Sequence, residues 1–517
     1  MGPDAMQLVM AALTFLAGAK GDLLDTMSTQ DYWRAKQQVV SVEQLKREAL
    51  PEAAVGDVTA LVRDLKSDEY KVREEARKKL EAMGPGVAAA LAPAAASKDP
   101  EVAQVAAGLI AKFSTAGHAR DVRRLMAIRT LGERKEAGAL EMVKGLEGSK
   151  EPFVATYAKR AAAQIEGGAL PVVDSRNKIV ADAWLLPRDA GMVLQGTRLG
   201  WDVLTAESIG EGMKNGPRMF MPQPNQMQPA EPTKEELTAR ATKAILAMAE
   251  RVGDWRVDGM TVALSANFDG DTGWFVTVLH GEYDPAAVAS LFKNMSNGEG
   301  GPQAAKIDGA DALALDSGLL VMPSAETLVV VYADDPDERA QKAEAIVKAL
   351  RAGKGELEPG SPLGKLLVQA QQGSVVWGAS QGMEALKKEA MFAGVDAITL
   401  SATKGAKDLD FVIAATGGDG DKLKASKETM EAGLKSTIAA GQAELAAAGQ
   451  LPIAATIQPM LDMLQSIKIS VDGETGKMTG QVQPAVVGAM LQELGMVMVI
   501  SEMSTDGAIP GEVAPEP

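Results

Sequence analysis

At 517 residues and 46% apolar content, the chain is long enough for more than one domain and apolar enough for real cores. It has no cysteine, which excludes disulfides, thiolate metal sites and cysteine nucleophiles, and its two histidines, His118 and His280, exclude histidine-rich metal clusters. The net charge of −16 is unevenly placed: residues 1–168 hold 24 basic and 23 acidic residues, the remainder 29 and 46, and so acidic a remainder repels phosphate backbones and anionic membrane surfaces alike.

Ala5–Ala19 is an uncharged apolar run ending in Ala17-Gly18-Ala19, the small-x-small pattern of an export-signal cleavage site, and it is short for a membrane span. Asp4 and the lack of any Lys or Arg ahead of the run oppose that reading, because an export signal wants a basic start. A cleaved signal and a first helix packed on the next domain both stay open, with an extracytoplasmic location favoured over a cytoplasmic one. A linker helix is expected over Asp31–Leu50 and completes an N-terminal segment, 1–50.

Residues 51–168 read as helical hairpins with internal echoes. SDEYKVREEA from Ser67, SKDPEVAQVA from Ser97 and SKEPFVATYA from Ser149 each open on N-cap chemistry. Val72, Val102 and Val154 recur at one offset, with Ala76, Ala106 and Ala158 four residues on along the same face. Apolar helices precede them at Val58–Leu65, Val87–Ala95 and Ala139–Leu146, and an extra helix, Ala119–Lys135, is expected between the second and third units with His118 at its start. The segment 57–166 resembles HEAT-like repeats, which implies a stack of paired helices offering a protein-binding surface and no chemistry of its own. Arg120, Arg123 and Arg124 head a basic cluster on the extra helix, read as a solvated or docking face, or else as a contact for an anion or a partner.

From 185 the character changes to strands. A first α+β unit over 185–355 carries a strand at Met192–Leu199, a helix over Asp202–Met213 and a Pro/Met-rich loop, 214–232, without period. Thr233 to Glu236 is a capping box opening a helix to about Val252. Met260–Phe268 alternates apolar and polar residues, Asp269–Gly273 supplies a turn, and the chain returns to Gly281: a hairpin. Asp284-Pro285 and Asp335-Pro336 start helices on either side of strands at Ala312–Asp316, Leu319–Met322 and Thr327–Tyr332. A second unit, 356–500, repeats the order: strand Ser374–Ala379, helix Gly382–Phe392, a hairpin over 395–416, a helix from Asp421, strands at Ile467–Val471 and Met478–Gln483, and a helix from Pro484. Both hairpins begin on Val-Asp, at Val257-Asp258 and Val395-Asp396, so the sequence reads as an internal duplication. Residues 501–517 are an acidic tail expected to be disordered. The expected fold class is α+β, a HEAT-like helical module followed by a duplicated ferredoxin-like (βαββαβ) domain with mainly antiparallel sheet. The layout is similar to that of uncharacterised secreted bacterial proteins joining short helical repeats to a duplicated α+β domain.

Candidate chemistry is thin. Asp269 and Asp271 on a hairpin tip could suggest Ca²⁺, but Asp and Gly suit tight turns by themselves. Asp419 or Asp421 in Gly417–Asp421 reads as an N-cap, because the P-loop lysine is missing. His280 beside Glu282 could make a His–carboxylate base, against a bland half-exposed strand residue. Trp201, Trp255, Trp274 and Trp377 read as core anchors, and Met213, Met219, Met221 and Met227 as ordinary loop methionines ahead of Cu(I) ligands. No catalytic residue, cofactor or metal is therefore assigned. The expectation is a non-catalytic interaction or scaffold protein binding a protein partner through the helical repeats, without nucleic acid and without a membrane segment beyond the possible signal. The alternative is a pocket for an apolar ligand or lipid between the two α+β halves, and a hydrolase comes third.

Overall fold

The computed structural model describes residues 22–482 except 51–58, 68, 84–86, 96, 98, 171–175, 198–232, 268–272, 290–301, 316–317, 383–391, 393, 406–407 and 449–453. The apolar run Ala5–Ala19, the helix Asp202–Met213, the loop 214–232, the turn residues Asp269 and Asp271, almost all of the helix Gly382–Phe392, the helix from Pro484 and the tail 501–517 lie outside the described residues.

The first region is helical. Where one helix is expected over Asp31–Leu50 there are two, α1 (Thr29–Ala35) and α2 (Val42–Ala49), capped by Ser28 and Ser41, with Gln37 at φ 53° turning the chain between them. Then come α3 (Thr59–Asp64), α4 (Tyr70–Met83), α5 (Ala88–Ala95), α6 (Pro100–Glu133), α7 (Leu140–Leu146), α8 (Pro152–Glu166) and α9 (Arg176–Asp182). The separate helix expected from Ala119 is corrected: α6 runs unbroken for 34 residues and carries His118 in its interior. A lone interior glycine such as Gly117 costs only about 1 kcal/mol against alanine. Packing at both ends outweighs it: Ala106, Leu109 and Phe113 enter a small core with Leu80 and Leu91, while Val122, Met126 and Ile128 enter the main one. The repeat positions behave as their spacing predicts, with Ala76, Val102, Ala106, Val154 and Ala158 buried and Val72 half-buried.

The second region is one antiparallel sheet of 12 strands with interspersed helices. In chain order it holds β1 (Ala190–Thr197), α10 (Lys234–Val252), β2 (Arg256–Ser265), β3 (Trp274–Glu282), β4 (Gln303–Ile307), β5 (Ala310–Ala314), β6 (Gly318–Ser324) and β7 (Thr327–Ala333). It continues with α11 (Pro336–Ala352), α12 (Pro362–Ala370), β8 (Val376–Gln381), β9 (Ala397–Lys404), β10 (Leu409–Thr416), α13 (Gly420–Ala448), α14 (Ala454–Ser466), β11 (Lys468–Asp472) and β12 (Thr475–Val482). The strand order is β11-β12-β10-β9-β8-β1-β2-β3-β7-β6-β5-β4. The ferredoxin-like order separates a strand from the next across a helix; here β1 pairs directly with β2 and β8 with β9, so each half opens as a three-strand meander, β1-β2-β3 or β8-β9-β10, and then crosses over to β7 or β12.

Outward from the central β1–β8 pair, β1-β2-β3-β7-β6 faces β8-β9-β10-β12-β11, and the registers agree residue by residue. Phe275 lies between Leu264 and Tyr332, and Phe411 between Ala402 and Gly480. At the centre Met192 pairs Ser380, Leu194 pairs Gly378 and Gly196 pairs Val376, the pattern of a local two-fold through Leu194 and Gly378. Gly281 and Gly417 end the two return strands at matching points: a Cβ on either would stand 1.8 Å from a carbonyl oxygen, that of Arg256 or Gly394. Only glycine allows that approach.

One face of the sheet is covered by α11 and α12, whose Ala343, Ile346, Val347, Leu363 and Leu367 meet Val193, Ala263, Val276, Val329 and Val331. The opposite face of the first half lies under α10. There Ala241, Ile245 and Ala249 share a core with Leu279, Leu320, Leu328 and Val330, and that core continues into α1, α2, α6, α7 and α8. The helical region and the sheet thus share one interior, which passes under the boundary expected between 168 and 185.

Candidate functional site

Two features meet where the halves join, one on each face of the same strands. On the α11 face a chain of buried polar side chains crosses the seam. Trp377 Nε1 donates to Gln195 Oε1 (2.8 Å), and Gln195 Nε2 donates to Thr261 Oγ1 (3.1 Å) and to the Ile179 carbonyl. Thr261 donates to Asp182 Oδ2 (3.1 Å), whose Oδ1 lies 2.8 Å from His280 Nε2, and His280 Nδ1 lies 3.3 Å from Thr327 Oγ1. Arg176 stacks its guanidinium 5.0 Å from the Trp377 ring. Burial pushes the Asp182 carboxyl above its usual range, while the bonds from His280 and Thr261 pull it down. The partner of His280 is thus Asp182, 98 residues away, and Glu282 is held instead by Arg256 at 2.7 Å. With both ring nitrogens engaged and the histidine 8% exposed, this arrangement is built to join β8, β1, β2, β3 and β7.

On the α10 face the same strands make an apolar floor. Leu194 of β1, Leu264 of β2, Val376 of β8, Ile398 and Leu400 of β9 and Ile413 of β10 point to this side and are half-buried. Gly196 and Gly378 lie among them and keep the floor low. The helices that approach β1, β8 and β9 most closely, α9 and α12, both belong to the other face. To one side rises α10. To the other rises α13: it approaches β11 and β12, where Ile469 and Val471 are half-buried while Lys468, Ser470 and Asp472 on the reverse side are exposed. Among the described residues this face of the seam thus lies between α10 and α13.

The basic cluster read from the sequence is used inside the molecule. Arg124 grips Glu151 with two 2.8 Å contacts and the Ala49 carbonyl at 3.1 Å, and Arg123 binds Glu48 (2.9 Å) and Gln38 (2.8 Å). Arg120 lies 3.5 Å from its neighbour Asp121. Trp255, Trp274 and Trp377 are buried as core anchors, while Trp201 and Met213, Met219, Met221 and Met227 lie outside the described residues. Asp419 caps α13, accepting from Asp421 N and Lys422 N at 3.1 Å each. Among the described residues no group of three or more His, Asp or Glu could hold a metal ion, and no helix is long and apolar enough to cross a membrane. Sequence reasoning missed Asp182 and Gln195, which carry no local signature; it read a strand at Met192–Leu199, where β1 lies, but not which of its faces makes the apolar floor.

No protein-family model matches the chain, and no curated protein matches its sequence. Among solved structures it is similar to crystal forms III, I and IV of TP0453, at 11%, 12% and 10% identity and TM-scores of 0.32, 0.30 and 0.31. Each covers 60% of this chain and 96–97% of the other. The resemblance is a distant one of layout.

Proposed function

We propose that this is a non-catalytic binding protein built on a duplicated run of antiparallel strands, and that a groove along its seam holds an elongated apolar guest of the acyl-chain type. One observation carries the reading. Leu194, Leu264, Ile398, Leu400 and Ile413 form a contiguous apolar floor that stays half-buried, whereas the α11 face of the same seam is closed by Trp377 and Gln195. Apolar surface left wet forgoes about 25 cal/mol per Å², so a guest that covers the floor gains what folding left unused. The polar chain beneath supports a structural role for His280, because both its nitrogens are occupied by side chains of the sheet and its approach. A protein partner on the helical repeats is the second reading. It is favoured by α3–α5 and the first part of α6, which close a small core of their own.

A fluorescent fatty acid titrated into the full chain tests the first reading. Binding is expected for the wild type and for Ser401→Glu, whose side chain lies on the reverse face. Leu400→Glu is expected to lose more than about tenfold in affinity, because a carboxylate on an apolar floor costs several kcal/mol to desolvate. Equal binding by Leu400→Glu, or none by the wild type, overturns the groove.

A further inference from the structure

Residues 22–27 form a strap that ties the helical region to the sheet. Leu23, Leu24 and Met27 are sealed in the shared core, and Leu23 N donates to the Trp255 carbonyl (2.7 Å). Leu24 N donates to Asp254 Oδ1 (3.1 Å), which also accepts from Trp255 N (3.0 Å). Around Asp254 the charges do not balance. Arg160 of α8 is committed to Asp22 (2.6 Å) and Asp25 (3.0 Å). Arg129 of α6 is committed to Glu133 (2.7 Å), to Asp25 (3.5 Å) and to the carbonyls of Leu24 and Met27. Arg256 of β2 is committed to Asp258 (2.9 Å) and to Glu282 of β3 (2.7 Å). His118 of α6 turns to Asp284 (3.2 Å), and Glu250 of α10 takes Lys36. Asp254 has two amides for one oxygen, and its Oδ2 is buried with no cation and only the Tyr157 hydroxyl, itself buried and otherwise unpartnered, to face it.

We propose that Asp254 is a proton-gated latch: protonated, it locks the strap of residues 22–27 into the corner between α8 and the start of β2, and on ionising it releases the strap. Three carboxylates, Asp22, Asp25 and Asp254, share this corner with Arg160 and Arg129, so a proton on Asp254 removes the repulsion from Asp22. Burial first, and Asp22 next, hold the Asp254 carboxyl well above its usual range. The folded chain therefore keeps a proton that the unfolded chain gives up near pH 4. The contribution to stability is complete below that value and is lost as pH rises through the folded value. Release would free Leu23, Leu24 and Met27 and loosen α6–α8 from α10, a change driven by alkali and opposite in sign to acid denaturation.

Amide exchange of Leu23 and Leu24 in the full chain, corrected for intrinsic rates and followed from pH 6 to 10, reads the latch. In the wild type, opening is expected to rise by up to about tenfold per pH unit while the closed strap keeps the proton that the open one gives up, and to level off once Asp254 is ionised in both. Asp254→Asn keeps an acceptor for both amides and cannot ionise, so its profile is expected to be flat. The infrared band of a protonated carboxylic acid is a second readout, whose Asp254 component is expected in the wild type while the strap is closed and is missing in Asp254→Asn. Should the variant not fold, that band must still titrate in the wild type together with strap exchange. A flat wild-type profile, an equal slope in both proteins, or a band that titrates apart from the strap overturns the latch.

Discussion

Phe275 and Phe411 hold the same place in two like runs of strands, and the molecule treats them differently. Phe275 is 5% exposed, with Val262 and Tyr332 closing around it. Phe411 is half-buried, and its mate across the ladder is Gly480, where a Cβ would meet the ring at 2.5 Å. The same contrast holds along the strands: nearly every residue of β2, β3 and β7 is buried, while β9 and β10 are mostly half-exposed and β11 alternates between half-buried and exposed. One run of strands is covered on both faces; its copy has one polar face, with Thr403, Lys477, Lys468 and Ser470 exposed, and one apolar face that is half-buried. A shared backbone plan thus fixes pairing and register, and what is laid on it decides which half is core and which is surface.

The largest expected effect tests that difference directly. Phe275→Ala removes a sealed aromatic and is expected to cost about 3–5 kcal/mol, and Phe411→Ala about half as much, because half its surface gains nothing from folding. Denaturant unfolding of both variants checks the ratio. Equal costs would mean that the second half is as closed as the first.

Within each half the hairpin was legible in the sequence because its pairing is local, whereas β1–β2 and β8–β9, which the ferredoxin-like order keeps apart, were not. Alternation over Met260–Phe268, the turn after it and the Val-Asp openings sufficed for β2–β3 and β9–β10, and the Thr233–Glu236 capping box is formed as written. The seam was not legible. β1 and β8 pair across about 180 residues of chain, and nothing in Met192–Gly196 names Val376–Ser380 as its neighbour. Asp182 stood in a stretch read as a boundary, so its bond to His280 was invisible, and His280 was matched to the nearer Glu282. β4, α9 and α12 were missed because short segments carry weak periodicity: Gln303–Ile307 has a single large apolar residue, Ile307. The continuity of α6 was missed because Gly117-His118 looks like a stop, and only burial on both sides overrides it.

A middle-sized effect concerns the seam. Gln195→Leu leaves Trp377 Nε1 and the Ile179 carbonyl buried without their partner and is expected to cost about 1–3 kcal/mol for each group so stranded. The matching residue on the other side of the two-fold is Ala379, apolar and 3% exposed, so this linkage exists once and not twice. Calorimetry should show the more exposed second half melting ahead of the first in Gln195→Leu, as a split or broadened transition. A single transition shifted as a whole would mean that the halves are held together by the shared ladder alone.

The smallest effect lies at the helix starts that follow the two return strands. After β3, Asp284 caps a helix through the amides of Ala286 and Ala287 and also takes His118 from α6 at 3.2 Å. After β10, Asp419 caps α13 by amides alone, with Lys422 beside it at 3.5 Å. The bond from His118, and after it the two amides, lower the Asp284 carboxyl below its usual value. A lowered carboxyl stabilises above its unfolded value near pH 4 and loses that contribution as pH falls through the folded one. Asp284 is 46% exposed, so screening leaves at most about 1 kcal/mol. Denaturant midpoints at pH 6 and pH 3 should therefore draw closer together in Asp284→Asn than in the wild type. They should move less in Asp419→Asn, whose cap has no histidine and is held largely by backbone. If both variants respond alike, the His118 contact adds nothing beyond the cap, and the two helix starts are as equivalent as the strands that lead to them.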